Sequence, residues 1–169
     1  MTESSPKAPK TIDRRNLVKG AAWSVPVIAL ATAAPFASSS QLVNVGNFRV
    51  VGDCGVLALI GPGFVVTAGA QPLPIGTQID IVGSGIANIG VFSVTGATAN
   101  VNVLSGNTRR ITLTSALPAN AALELRTTLS ISVAFTLNAT ATLPTGFTAG
   151  STAKPSGAVS STLILCSGT

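Results

Sequence analysis

The 169-residue sequence contains no histidine and no tyrosine. Without histidine there is no imidazole for a Ser-His-Asp or Cys-His relay, and most zinc and copper sites lose their commonest ligand. Without tyrosine, stacking on sugars or bases falls to phenylalanine, and aromatic residues are only 4% of the chain. Charge is scarce as well. Asp, Glu, Lys and Arg make up 9% of residues, against about 25% in ordinary globular domains. Solubility therefore rests on Ser, Thr and Asn. High hydrophobicity combined with low net charge excludes a disordered chain.

The few charges are unevenly placed. Residues 1–37 carry Lys7, Lys10, Arg14, Arg15 and Lys19 against Glu3 and Asp13, a balance of +3. The remainder carries Arg49, Arg109, Arg110, Arg126 and Lys154 against Asp53, Asp80 and Glu124, a balance of +2. Arg109-Arg110 is the one basic cluster there, which excludes nucleic acid as a partner, because that recognition needs a clustered basic face. No apolar run beyond residue 37 reaches the ~20 residues of a membrane span, so no mature transmembrane segment is expected.

The N-terminal forty residues read as an address. A polar stretch, Met1 to Lys10, leads to Asp13-Arg14-Arg15-Asn16-Leu17-Val18-Lys19 and then to an uncharged apolar run, Ala21 to Phe36. The run is too short to span a membrane and is interrupted by Pro26 and Pro35. A basic region, a short apolar region and small residues after it make a signal peptide. The segment Arg14, Arg15, Leu17, Val18, Lys19 resembles the twin-arginine export signal, which a receptor reads and which is not itself an anchor. Its continuation, Gly20-Ala21-Ala22-Trp23-Ser24-Val25-Pro26-Val27, is similar to the start of many small secreted proteins of high-GC Gram-positive bacteria. The resemblance covers about the first quarter of the chain. It implies the twin-arginine translocase as a partner and an extracellular or cell-envelope destination. Cleavage is expected between Ala37 and Ser38, with Ala31-Thr32-Ala33 an earlier small-x-small match. Retention of the segment as a tether is the alternative. Two units follow: a signal segment, 1–37, and a single domain, 38–169.

Cys54 and Cys166 are the two cysteines. In an oxidising compartment an even count suggests a disulfide. The bond would close nearly the whole domain, and chain entropy puts an upper figure of about 4–5 kcal/mol on a loop of that length. Two buried free thiols are the alternative.

Residues 38–169 read as strands: short β-branched runs separated by Gly, Pro and Asn at roughly 8–12 residue intervals, the pattern of a sandwich or barrel of about 7–9 strands. The expected runs are Leu42 to Val51, Cys54 to Ile60, Phe64 to Ala68, Thr77 to Val82, Ile89 to Thr95, Ala99 to Leu104, Arg110 to Ser115 and Val159 to Cys166. The clearest signal is Leu123 to Leu143, where apolar and polar residues alternate strictly and so place one face inside and one in water. It is longer than the usual 5–6 residues, so a bulge or a change of sheet is expected within it. No helix is expected after residue 40. Leu73-Pro74-Ile75-Gly76-Thr77, leading into a strand, is similar to turns in bacterial immunoglobulin-like surface domains. The resemblance implies a Greek-key (immunoglobulin-like) β-sandwich, although the antibody-type Cys…Trp…Cys arrangement is missing, Trp23 lying in the signal segment.

Candidate chemistry is thin. Carboxylate pairs serve glycosidases, but Asp53 follows Gly52 at a turn, Asp80 sits between Ile79 and Ile81 on the outward face of a strand, and Glu124 shares a face with Arg126. Ser151-Thr152-Ala153-Lys154 fits S-x-x-K, but Pro155 and Gly157 follow and the partner motifs are absent. Gly83-Ser84-Gly85 lacks the third glycine and the helix of a phosphate loop and reads as a hairpin or bulge. What remains is the wet side of the long alternating run. Thr128, Ser130, Ser132, Thr136, Asn138, Thr140 and Thr142 form a hydroxyl-rich row, a candidate face for a carbohydrate or a cell-wall surface. The sequence thus points to an exported structural or adhesive sandwich, not an enzyme and without a cofactor. An extracellular enzyme using carboxylates on polysaccharide and a subunit of a surface assembly are the alternatives.

Overall fold

The structure, a computed structural model, describes residues 41–56, 61–129, 133–163 and 165–169. They carry twelve strands and no helix: β1 (Val43–Asn44), β2 (Arg49–Asp53), β3 (Gly63–Thr67), β4 (Gln78–Ser84), β5 (Phe92–Thr95), β6 (Ala99–Ser105), β7 (Thr108–Leu113), β8 (Ala122–Thr127), β9 (Phe135–Thr142), β10 (Phe147–Thr148), β11 (Ser156–Ser161) and β12 (Cys166–Gly168). They form a six-stranded sheet in the order β12-β11-β9-β4-β7-β6, a four-stranded sheet in the order β2-β3-β8-β5, and a two-stranded ribbon of β1 and β10. Every pairing in the two larger sheets is antiparallel.

Period-two patterning builds a single core from both sheets. Val50, Phe64, Val66, Leu123 and Leu125 come inward from the four-stranded sheet; Ile79, Ile81, Ile111, Leu113, Leu137, Ala139 and Val159 come inward from the six-stranded one. These side chains form one buried cluster, so the architecture is a β-sandwich. Each fully buried Leu, Ile or Phe contributes roughly 1.5–3 kcal/mol, and this row carries most of the stabilisation.

The expected all-β sandwich is observed, and the runs are cut more finely than expected. Leu42 to Val51 divides at Gly46, whose φ of 76° turns the chain, so β1 joins β10 and β2 joins β3. The last run is a hairpin: β11 ends at Ser161, the Thr162 N–H donates to the Leu165 carbonyl, and β12 opens at Cys166, which pairs with Ser161. These divisions raise the strand number above about seven to nine. The long alternating run changes sheet, as its length suggested: β8 lies between β3 and β5, whereas β9 lies between β4 and β11. Odd-numbered residues stay inward on both sides of the crossing, Leu123, Leu125 and Thr127 from one sheet and Phe135, Leu137, Ala139 and Ala141 from the other.

Cys54, directly after β2, is bonded to Cys166, the first residue of β12, with 5.8 Å between the Cα atoms. The two strands are edges of different sheets, so the bond ties the sandwich together along one seam. The same seam is laced by backbone. Val50 N–H donates to the Lys154 carbonyl and Gly52 N–H to that of Thr169, which occupy the edge groups that β2 would otherwise leave open.

Candidate functional site

The outward side of β9 places Thr136, Asn138, Thr140 and Thr142 in one row, Thr136 half-buried and the other three exposed. Register extends the row sideways. On β11, Ser160 lies opposite Thr136 and Ser156 opposite Thr140; on β4, Asp80 lies opposite Thr140 and Gln78 opposite Thr142. Beyond β4, Arg110 faces Asp80 and Thr112 faces Gln78, and Asn102 and Asn100 continue the two rows on β6. A polar sheet face five strands wide results, with an acid–base pair at its centre. Only part of the row expected from sequence belongs to it. Thr128 lies beyond β8 on the other sheet, where its hydroxyl accepts the Val91 N–H at 3.3 Å. Ser130 and Ser132 lie outside the described residues.

Asp80 and Arg110 are held in a fork: Nε donates to Oδ1 at 2.7 Å and Nη2 to Oδ2 at 2.8 Å. These hydrogen bonds hold the Asp80 carboxyl below the usual carboxylate range, against a smaller opposing effect of burial. On the far side of the molecule's other sheet, Arg126 Nη2 donates to Asp53 Oδ2 at 2.9 Å, and its Nε stands 3.6 Å from Glu124 Oε2, an ion pair too long for a hydrogen bond. Arg126 and then the Gly55 N–H, at 2.7 Å from Oδ1, lower the Asp53 pKa as well. Asp53 thus does what Asp does at turns, binding a backbone N–H two residues on, and pairs with an arginine in addition.

The adjacent Arg109 and Arg110 separate, because successive strand residues point to opposite sides. Arg110 faces water. Arg109 is buried and donates to five neutral oxygens: the carbonyls of Ser105, Gly106, Thr108 and Gly90 and the side chain of Asn88. It clamps the β6–β7 hairpin to the loop that leads into β5. This buried role had no signal in the sequence beyond the inward parity of Arg109 with Ile111 and Leu113. Ser151 and Thr152 lie in a turn and no helix follows, so the S-x-x-K spacing does not present Ser151 to Lys154 as a nucleophile motif would.

Among the described residues, no three His, Cys, Asp or Glu side chains cluster as a metal site would require, and no helix is long and apolar enough to cross a membrane. The chain matches no protein-family model, no curated protein and no solved structure.

Proposed function

We propose that the chain is delivered by the twin-arginine translocase and that its sandwich domain works outside the cytoplasm as a structural or adhesive protein of the cell surface or surrounding medium. The observation that carries the proposal is the Cys54–Cys166 bond, since a structural disulfide persists in oxidising compartments and is rare in the cytosol. The twin arginines, Arg14 and Arg15, supply the route. Cleavage between Ala37 and Ser38 and an immunoglobulin-like Greek-key architecture belong to the same reading. The repeated crossings between sheets, at β3–β4, β4–β5, β5–β6, β7–β8 and β8–β9, are compatible with that architecture. The polar face around Thr136, Asn138, Thr140 and Thr142 is the surface offered to cell-wall glycan.

A carboxylate enzyme has less support. Asp53 and Asp80 have their pKa values held down by arginines, whereas a glycosidase general acid needs a raised one. Assembly into a surface array has one specific observation behind it: Val103 and Leu104 are exposed on β6, an edge of the six-stranded sheet.

The test is intact mass without reduction, taken on protein recovered separately from culture medium, envelope and cytoplasm. The proposal expects a species beginning near Ser38, outside the cytoplasm and lighter by two hydrogens than the dithiol, and its loss from outside when both Arg14 and Arg15 are changed to Lys. Full-length protein with free thiols confined to the cytoplasm overturns it.

A further inference from the structure

The three carboxylates of the described residues all lie against arginines, Asp80 against Arg110 and Asp53 and Glu124 against Arg126. Arg109 gives its donors to neutral oxygens inside the hairpin clamp. Two cations remain, Arg49 and Lys154, and the fold sets them side by side. The Lys154 N–H donates to the Phe48 carbonyl and the Lys154 carbonyl accepts the Val50 N–H, a parallel bridge that brackets Arg49. Paired strand positions lie about 4.8 Å apart with side chains on the same side of the ladder. Both side chains are exposed, and neither has a carboxylate partner among the described residues. Like charges placed directly opposite each other destabilise a sheet, so this pairing costs stability wherever no anion lies between them.

The two cations line one surface cleft of about 640 Å³, together with Asn47, Asn120, Thr152 and Thr67. That size is within the usual range for small-ligand sites. Its walls are fixed by backbone. Asn47 Oδ1 accepts the Thr152 N–H at 3.2 Å, the Asn120 N–H donates to the Gly69 carbonyl at 2.8 Å, and Gly69 packs so closely on Asn47 that a Cβ there would collide with its backbone. Asn120 is held at a φ of 60°, which Asn tolerates better than most residues. Two unneutralised cations supply a seat for an anionic group; amide and hydroxyl side chains around them supply partners for hydroxyls.

We propose that the cleft around Arg49 and Lys154 binds an acidic carbohydrate, its phosphate or carboxylate held between the two cations and its hydroxyls met by Asn47, Asn120 and Thr152. This site lies apart from the β9 face and does not depend on the route of export. Lys154 thereby has a role unrelated to the S-x-x-K spacing.

The test follows backbone N–H resonances of the isotope-labelled full chain during titration with glucose 1-phosphate, glucuronate, inorganic phosphate and neutral glucose. Shifts at Asn47, Gly69 and Thr152 with the acidic sugars are expected, at lower concentration than with phosphate or glucose. Glucose 1-phosphate and glucuronate together tell whether the phosphate or the carboxylate is preferred, and preference for either supports the site. The R49S/K154S variant should bind at least tenfold more weakly, the R49K/K154R exchange should keep binding, and T95A, on β5 at the opposite edge of the four-stranded sheet from β2, should leave it unchanged. The proposal is overturned if no resonance of the cleft moves, if R49S/K154S binds as well as the parent, or if neutral glucose or phosphate alone binds as tightly as the acidic sugars.

Discussion

Arg110 grips Asp80 through two parallel hydrogen bonds across the β4–β7 pair, and the pair stands at the centre of the polar face that β9 shares. Asp53, on the other sheet, is held in the same sense by Arg126. Both carboxyl groups have folded-state pKa values below the unfolded value. Their contribution is complete above the unfolded pKa and is lost as pH falls through the lower folded values. The melting temperature should therefore be flat near neutrality and fall by a few degrees below about pH 4. The D53N/D80N variant should show a flatter acid limb in calorimetry. An acid limb as steep as the parent's would place the titrating groups elsewhere.

Removing the Arg109 clamp should be costly. Hydrogen bonds to charged groups are worth about 1.5–3 kcal/mol each, and buried carbonyls left without a donor lose more. R109M should lower the unfolding free energy by about 2–4 kcal/mol. Hydrogen exchange should quicken first around Asn88, Gly90 and Gly106, whose oxygens lose their donor. R110Q at the next position should cost much less in the same denaturation experiment, since Arg110 is half-exposed and loses one partly solvated pair.

The disulfide spans a sequence separation of 112 residues. Reduction, or the C54S/C166S variant, should lower stability by about 2–5 kcal/mol. The chemical-denaturation midpoint of oxidised and reduced protein measures this directly. Equal midpoints would mean that the backbone lacing of the seam suffices without the bond.

Gly52 offers a sharper test of that seam. A Cβ on this residue would run into the Ala158 carbonyl of β11. The obstacle is backbone and cannot rotate away, so G52A should destabilise by about 3 kcal/mol or more. By contrast, G146A meets nothing within 4 Å and has only its φ of 90° against it. Thermal melts of the two variants should differ clearly, with G52A much the lower.

How far residues announce the fold depends on how local the cause is. Alternation names the inward residues of β8 and β9 correctly, because period two is a property of each residue and its neighbours; between the two strands it fails at Val133, which is exposed. It does not reveal which sheet receives each half; that depends on Leu137 meeting Val159 and Gly83, contacts between distant segments. The same holds for charge. Asp80 was legible as outward-facing, yet its partner lies thirty residues on, at Arg110. Arg109-Arg110 looked like one basic cluster and is two residues facing opposite ways. The cation pair of Arg49 and Lys154 had no signal at all, since only the parallel bridge between β2 and the turn before β11 brings them together. The hairpin at Leu163 was also hidden, because a leucine at a φ of 74° is not a turn signal.

The Cys54–Cys166 bond also decides how the domain carries force. A pull applied to the chain on either side of the two cysteines runs through covalent sulfur and bypasses everything between them. The 112-residue loop, which would release about 380 Å if drawn out at full extension, stays locked. The sandwich then behaves under tension as a short, inextensible link until a reductant cuts it, after which it becomes a long one.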